Sequence, residues 1–374
     1  MDSTSKSPYE DLGVRTFINA RGTITTMGGS IMPVEVTDAM VAASRHFVML
    51  DELHEKAGAH IASLTGAEAA FVCAGAASGM LLSGAACLTG PDAAAVEALP
   101  DHGGRPNEFV ISLVDSHYYI HQGFRVCGGV VRPAGTESGV TMEHYEAAIC
   151  ERTAAVVFFL GSQPKAELPK IIDIAHGARV PVIVDAAAQL PPRSNLRELT
   201  EMGADLVCFS GGKGLCGPQS TGLILGSRDL VAACALNSNP NSAIGRGMKV
   251  GKEEIAGVVK AVELFMEKDE EAQIAEWERR CQLIGKMAAE FPGIRFEYDP
   301  PYTQKFPPAV PITHLRFDSK AKLSAAQVSS KLESGSPSIL AGSGDKRVSF
   351  SPQTLQCGEA ETIADRLREI LSTS

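Results

Sequence analysis

Val182-Ile-Val-Asp185-Ala-Ala-Ala-Gln189 and, one strand–helix step later, Leu206-Val-Cys-Phe-Ser210-Gly-Gly-Lys213-Gly-Leu-Cys-Gly217 decide how this chain is read. Each begins as an unbroken apolar run, the pattern of a strand buried on both faces. Each run leads to a polar group where such a strand would leave its sheet: a carboxylate at Asp185, and an amine at Lys213 set between glycines. Open α/β sheets bind their ligands at the carboxyl ends of the strands. Two neighbouring strands of that kind would present Asp185 and Lys213 to one crevice.

The rest of the chain supplies the sheet. Apolar runs at 70–73, 109–114, 154–160, 180–184 and 222–225 alternate with helical segments. That alternation predicts βαβ units, an α/β fold with a mostly parallel sheet covered by helices. Val36 to Leu64 predicts one helix, capped at Thr37 or Asp38 and stopped at Gly66, with Leu53, Ala57, Ile61 and Leu64 on one face. Around Lys252 the texture changes. Ile255, Val259, Val262 and Met266 mark a long amphipathic helix, and Trp277, Cys281, Ile284 and Met287 mark a second that ends at Pro292-Gly293. Strand-like 294–298, 312–317 and 348–350 follow, with helical 325–332 and 359–371. The expected organisation is an N-terminal arm (1–35), a large α/β domain (36–251), and a connector helix with a smaller α+β domain (252–374).

Composition narrows the function classes. The 374 residues are 44% hydrophobic and 21% charged, ordinary globular usage that excludes disordered, collagenous and coiled-coil chains. The net charge is −10 with no basic segment, so no nucleic-acid partner is expected. Nine cysteines, an odd number with no Cys-x-x-Cys, form neither a disulfide framework nor a zinc ribbon. Free thiols fit a reducing compartment, and the opening residues carry no apolar run of a secretory signal, so a cytoplasmic location is expected. Ala69 to Gly90 is uncharged and long enough to cross a bilayer. It is built from Ala, Gly, Ser and Cys, however, and reads as a tight loop entering a buried helix, with no membrane partner expected.

A buried amine and a buried carboxylate in one crevice suit pyridoxal 5'-phosphate. The lysine, its proton affinity lowered by burial, can form a Schiff base with the aldehyde. The carboxylate keeps the pyridine nitrogen protonated, so the ring can accept an electron pair. Gly75-Ala76-Ala77-Ser78 follows a strand and offers backbone N–H groups to a phosphate, and Ser210 offers a hydroxyl. Taken singly, Asp185 also reads as a helix cap, Lys213 as a surface turn and 75–78 as a small-residue turn. Gly212 to Gly217 matches G-x-G-x-x-G, but Pro218 and the apolar run after it predict a turn and a strand where a dinucleotide site needs a helix. His117 and His121 stand at i, i+4 and could share a metal. Neither they nor His54 and His60 have an evident third ligand, so no metal is assigned. Cys216, near Lys213, reads as a buried structural thiol.

Asn19-Ala-Arg-Gly-Thr, Val184-Asp-Ala-Ala-Ala-Gln-Leu-Pro-Pro, Ser210-Gly-Gly-Lys-Gly-Leu-Cys-Gly-Pro-Gln and Gly245-Arg-Gly-Met-Lys-Val-Gly-Lys-Glu together resemble one family. It is the selenocysteine-synthase-like branch of fold type I pyridoxal phosphate enzymes, which includes D-glucosaminate-6-phosphate ammonia-lyase. The resemblance runs from about Leu12 to Leu371 and includes Pro352-Gln-Thr-Leu-Gln-Cys-Gly-Glu. It implies the aspartate aminotransferase-like fold, Lys213 as the Schiff-base lysine and Asp185 as the pyridinium partner. It implies Gly75, Ala76, Ala77 and Ser210 around the phosphate, and His117 as a catalytic, ring-stacking residue. Gln189 becomes a candidate for the cofactor's phenolic oxygen, although it stands four residues after the aspartate where related enzymes place a glutamine three after. Arg246 and Lys249 fit a substrate or phosphate role, with Arg21 and Arg125 as further candidates for a substrate carboxylate or phosphate. The resemblance also implies a homodimer or larger assembly. Selenocysteine synthase carries an additional N-terminal tRNA-binding region; this acidic chain starts almost at the catalytic core, so no RNA is expected.

Carbanion chemistry at Cα has several outcomes. The favoured expectation is β-elimination from a hydroxy amino acid or amino-sugar acid, an ammonia-lyase reaction. Racemase, aldolase and aminotransferase chemistry are the alternatives, and a catalytically silent scaffold is the non-enzymatic one. Retention of both Asp185 and Lys213 speaks against the scaffold.

Overall fold

The structure, a computed structural model, describes residues 7–302 and 308–373. Two compact units divide them: a larger one over 28–270 with 308–309, and a smaller one over 7–27, 271–302 and 310–373. The first strand, β1 (Ile18–Ala20), belongs to the smaller unit.

The larger unit is built on seven strands: β2 (Ala69–Cys73), β3 (Glu108–Ser112), β4 (Val130–Ala134), β5 (Thr153–Phe159), β6 (Val182–Asp185), β7 (Leu206–Ser210) and β8 (Gly222–Gly226). Their order is β2-β8-β7-β6-β5-β3-β4. Only β8 opposes the others, running antiparallel to both β2 and β7. The carboxyl ends of β2, β3, β5, β6 and β7 therefore share one edge, and β8 starts at that edge. Gly222 pairs there with Cys73 on one side and Ser210 on the other.

Alternation along the strands explains why the runs are continuously apolar. Val110, Val156, Phe158, Val182, Val184 and Val207 enter one core, whereas Phe109, Ile111, Val157, Phe159, Ile183 and Leu206 enter another. Side chains of opposite parity leave opposite faces, and helices cover both. The expected α/β fold is observed. Strand β4 was not anticipated: Val130-Val-Arg-Pro-Ala lies at the sheet edge, where Arg132 is partly solvated and Pro133 costs no interior ladder bond.

Helix prediction needs one correction. The helix expected over 36–64 is two, Val34–Ser44 and Leu50–Thr65. Thr37 Oγ1 donates back to the Val34 carbonyl at 2.8 Å instead of capping, and Pro33 precedes the first turn. The break at 45–49 contains neither proline nor glycine and leaves Phe47 fully exposed. Gly66 does end the second helix, in the left-handed region at φ 77°. Helix Lys252–Glu267 packs on both pieces, its Ile255, Val258 and Val262 sharing a core with Ala57 and Ile61. The larger unit thus continues past 251, where a boundary was expected, to Glu270. Helix Ala76–Thr89 is almost wholly buried, and no described helix is long and apolar enough to cross a membrane.

In the smaller unit, β9 (Ile294–Asp299), β10 (Ile312–Phe317), β11 (Ile339–Gly344) and β12 (Arg347–Phe350) join β1 in the order β1-β11-β12-β10-β9. Ile284, Met287, Leu315, Phe317, Val328, Val348, Ile363 and Leu367 form its core against helices Ala325–Glu333 and Glu359–Ser372. Pairing of β1 with β11 means that both ends of the chain build this α+β unit.

Candidate functional site

The shared strand edge of the larger unit gathers the titratable groups. Lys213 sits in the turn that joins β7 to β8, closed by the Gly211 N–H donating to the Thr221 carbonyl at 2.9 Å. Its flanking glycines are there for close approach. A Cβ on Gly212 would overlap the Gln219 backbone, and one on Gly214 would overlap the Leu190 carbonyl. Ser30 Oγ donates to the Gly212 carbonyl at 3.0 Å, which ties the turn down further. The Lys213 amine is half-buried and makes no hydrogen bond among the described residues. Burial pushes its proton affinity below that of an ordinary lysine, and the Asp185 charge offsets part of that shift.

Asp185 closes β6 between Phe159 on β5 and Cys208 on β7. Its Oδ1 accepts the Ala187 N–H at 2.9 Å. Burial pushes this carboxyl up, against the Ala187 hydrogen bond and the charges of His117 and Lys213. Amine and carboxylate are thus each driven toward neutrality by burial, while each favours the other's charge.

His117 follows β3 and caps helix Tyr118–Val126. Its ring lies parallel to Phe159, 5.8 Å between centroids and 3° between planes. Its Nδ1 is 2.6 Å from Asp115 Oδ1. That bond raises the proton affinity of His117; burial opposes it, the charges of Asp115 and Asp185 add to it, and Lys213 opposes it. His117 and His121 do not share one face of a helix. His117 lies outside the helix, and both rings meet Asp115, His121 Nε2 at 2.7 Å from Oδ2. Among the described residues no three His, Cys, Asp or Glu are grouped to hold a metal.

Gly75 starts helix Ala76–Thr89 at φ 87° and ψ 158°, a conformation essentially reserved for glycine. No side chain caps this start, and open space lies beside Gly75. Gly222 allows the close approach, since a Cβ there would stand 2.7 Å from the Ala76 nitrogen. Ala76, Ala77 and Ser78 supply the first N–H groups of the helix, while the Ser78 hydroxyl turns back to the Ala74 carbonyl at 2.7 Å. Ser210, at the end of β7, pairs with Gly222 and donates its N–H to the Ala187 carbonyl at 3.3 Å. Gln189 is buried beyond β6, and its side-chain Oε1 lacks a donor.

The structure therefore brings together Lys213, Asp185, His117, Ser210 and the 75–78 helix start. Arg125 stands apart, exposed in the last turn of its helix, about 12 Å from His117 at 1.5 Å of rise per residue. Arg246 and Lys249 are exposed on the segment after Asn237, where Asn239 Nδ2 donates to the Arg246 carbonyl at 2.9 Å. Neither forms an ion pair among the described residues. Arg21 belongs to the smaller unit, exposed, its N–H bonded to Asn19 Oδ1 at 2.9 Å. Sequence reasoning missed Asp115 and Ser162, whose Oγ donates to Asp115 Oδ1 at 2.8 Å. The available signal was position: both follow buried strands at the carboxyl edge.

These residues fit pyridoxal phosphate. An amine, a carboxylate and an imidazole stand with an uncapped helix start that leaves room for an anion, and a buried amide oxygen lacks a partner. The fold is that of the fold type I pyridoxal phosphate enzymes. An aspartate aminotransferase structure from Thermus thermophilus superposes with TM-score 0.58 over 95% of this chain and 99% of that one, at 16% identity, a likeness of fold alone. A family model described as L-seryl-tRNA selenium transferase matches residues 17–277, and the chain belongs to that family. It is 32% identical to a 5'-C-glycyluridine monooxygenase-decarboxylase of Streptomyces sp, covering 97% of this chain and 92% of that protein. It is 31% identical to the D-glucosaminate-6-phosphate ammonia lyase of Salmonella typhimurium, covering 97% of each. A solved structure of D-glucosaminate-6-phosphate ammonia-lyase superposes with TM-score 0.84 at 29% identity, covering 99% of both chains.

Proposed function

We propose that this chain is a pyridoxal phosphate-dependent ammonia-lyase acting at the Cα of a hydroxy amino acid or amino-sugar acid. The observation that carries the reading is the half-buried Lys213 amine, without a hydrogen-bond partner among the described residues, electrostatically coupled to Asp185. Lys213 would hold the cofactor covalently, Asp185 would bind its ring nitrogen, and His117 would lie against its ring. The N–H groups of Gly75, Ala76, Ala77 and Ser78, with the Ser210 hydroxyl, would take the phosphate, and Gln189 would offer its amide to the phenolic oxygen. When bound, pyridoxal phosphate draws off the electron pair left at Cα. Freed when the substrate's amino group takes its place, the Lys213 amine is the base that removes the Cα proton, and burial has already moved it toward the range where a base works at neutral pH. His117 gives a proton to the departing β-hydroxyl. Water leaves, and hydrolysis of the product enamine yields a 2-oxo acid and ammonia.

Arg246 and Lys249, exposed cations without a carboxylate, are assigned to an anionic group at the far end of the substrate. Similarity to the glucosaminate-6-phosphate enzyme over the whole chain supports that substrate class. We also infer a cytoplasmic homodimer with no nucleic-acid partner. Ile31, Val34, Val41, Phe47 and Met49 expose apolar side chains within one short stretch, more than an isolated surface residue explains. All nine cysteines are free.

The test is a panel of D- and L-hydroxy amino acids and amino-sugar acids. Equimolar ammonia and 2-oxo acid from any of them supports the reading; none from the whole panel overturns it. A second reading, oxidative decarboxylation, is supported by the comparable identity to the Streptomyces enzyme. Consumption of dioxygen with release of carbon dioxide would identify it.

A further inference from the structure

We propose that Asp115 is the positioning residue of this site: its carboxylate fixes the ring plane and tautomer of His117, leaving Nε2 as the atom that gives and takes the proton. The inference rests on the reading of the site given above. Its evidence is a hydrogen-bond pattern around a carboxylate that has no exposed surface. Oδ1 receives His117 Nδ1 at 2.6 Å and Ser162 Oγ at 2.8 Å. Oδ2 receives the His117 backbone N–H at 3.0 Å and His121 Nε2 at 2.7 Å. An ionised carboxylate offers about four acceptor positions, so this one is saturated.

Saturation settles where the protons are. Burial alone would raise the Asp115 carboxyl, but the bonds from His117, His121 and Ser162 overcome it and hold the group far below the usual carboxylate range. An unprotonated carboxylate only accepts, so His117 Nδ1 and His121 Nε2 each carry a hydrogen. The separations are hydrogen-bond lengths, and no metal is needed to explain the cluster. His117 Nε2 then remains, with no partner among the described residues.

The same carboxylate grips His117 twice, through the backbone N–H and through Nδ1. Rotating the ring away from its parallel alignment with Phe159 breaks the second bond, and the Tyr119 edge stands against the ring at 5.8 Å. The charged and titratable groups acting on His117 are Asp115 and Asp185, which favour its charged form, Lys213, which opposes it, and His121, which shares Asp115. Asp115 is the anion in contact. Without it the half-exposed, stacked imidazole would lose the bond that most raises its proton affinity and would be free to present either nitrogen.

The test uses full-length protein labelled with 15N-histidine, the His117 resonances identified by their loss in His117→Gln. In Asp115→Asn the titration midpoint of His117 falls, and the Nδ1–H tautomer is no longer dominant. Asp115→Glu, which keeps the charge, recovers most of the midpoint. Ser162→Ala and His121→Gln remove competing donors from Asp115 but leave its bond to His117, so they raise the midpoint or leave it unchanged. Opposite directions separate positioning from general damage to the fold. An unmoved midpoint in Asp115→Asn, or a fall in all variants alike, overturns the inference. Failure of the underlying reading is distinguishable, because it shows as no cofactor uptake whatever His117 does.

Discussion

Asp185 works against the stability of the fold that holds it. Its carboxyl is raised by burial, so the folded chain binds that proton more tightly than the unfolded one. The stability this group contributes is present below the ordinary carboxylate range and is lost as pH rises through the raised value. At neutral pH its charge is a net cost to the cofactor-free chain. Asp185→Asn keeps an oxygen for the Ala187 N–H, so thermal unfolding of the cofactor-free variant is expected at the same or a higher temperature than wild type at pH 7. Pyridoxal phosphate retention falls in the same variant. A lower unfolding temperature would contradict this sign. Asp185 and Lys213 were legible in the sequence because each follows an unbroken apolar run, which locates it at a strand end before any contact is known. Asp115 was not. Its segment reads Asp-x-His-x-x-x-His, and the two histidine positions suggest a shared metal until the fold shows both rings turned onto the carboxylate between them.

Among the elements, the start of helix Ala76–Thr89 carries the clearest demand. Gly75 adopts a conformation that costs other residues about 1–3 kcal/mol, although space for a side chain is open. Gly75→Ala is therefore expected to lose about that much stability through the backbone and to weaken phosphate binding. Denaturant unfolding and a pyridoxal phosphate titration check the two effects; an unchanged affinity would remove the helix start from the site. The sheet was legible because both faces of β5, β6 and β7 are apolar, which leaves little room for another periodicity. Edge strand β4 was obscured by Arg132 and Pro133, residues an interior strand excludes. The break at 45–49 was hidden for the opposite reason: no glycine or proline punctuates it, and tertiary packing interrupts a pattern that local sequence would continue.

For the molecule as a whole, the two ends of the chain share one unit, with β1 paired to β11, a long-range pairing that no local pattern reveals. The exposed apolar stretch in the larger unit belongs to the same scale. Phe47 is fully exposed and Met49 nearly three-quarters so (72%), which is unfavourable in water unless another surface covers them. Phe47→Asp together with Met49→Asp is expected to convert a dimer into monomers in sedimentation. A wild-type chain that sediments as a monomer would refute the assembly.

Covalent attachment of the cofactor at Lys213 is tested most directly by reduction. Protein loaded with pyridoxal phosphate is treated with borohydride, digested and mapped by mass spectrometry. One pyridoxyl adduct is expected, on the peptide containing Lys213, and none in Lys213→Ala. An adduct on a different lysine, or no adduct on a fully loaded protein, would contradict it.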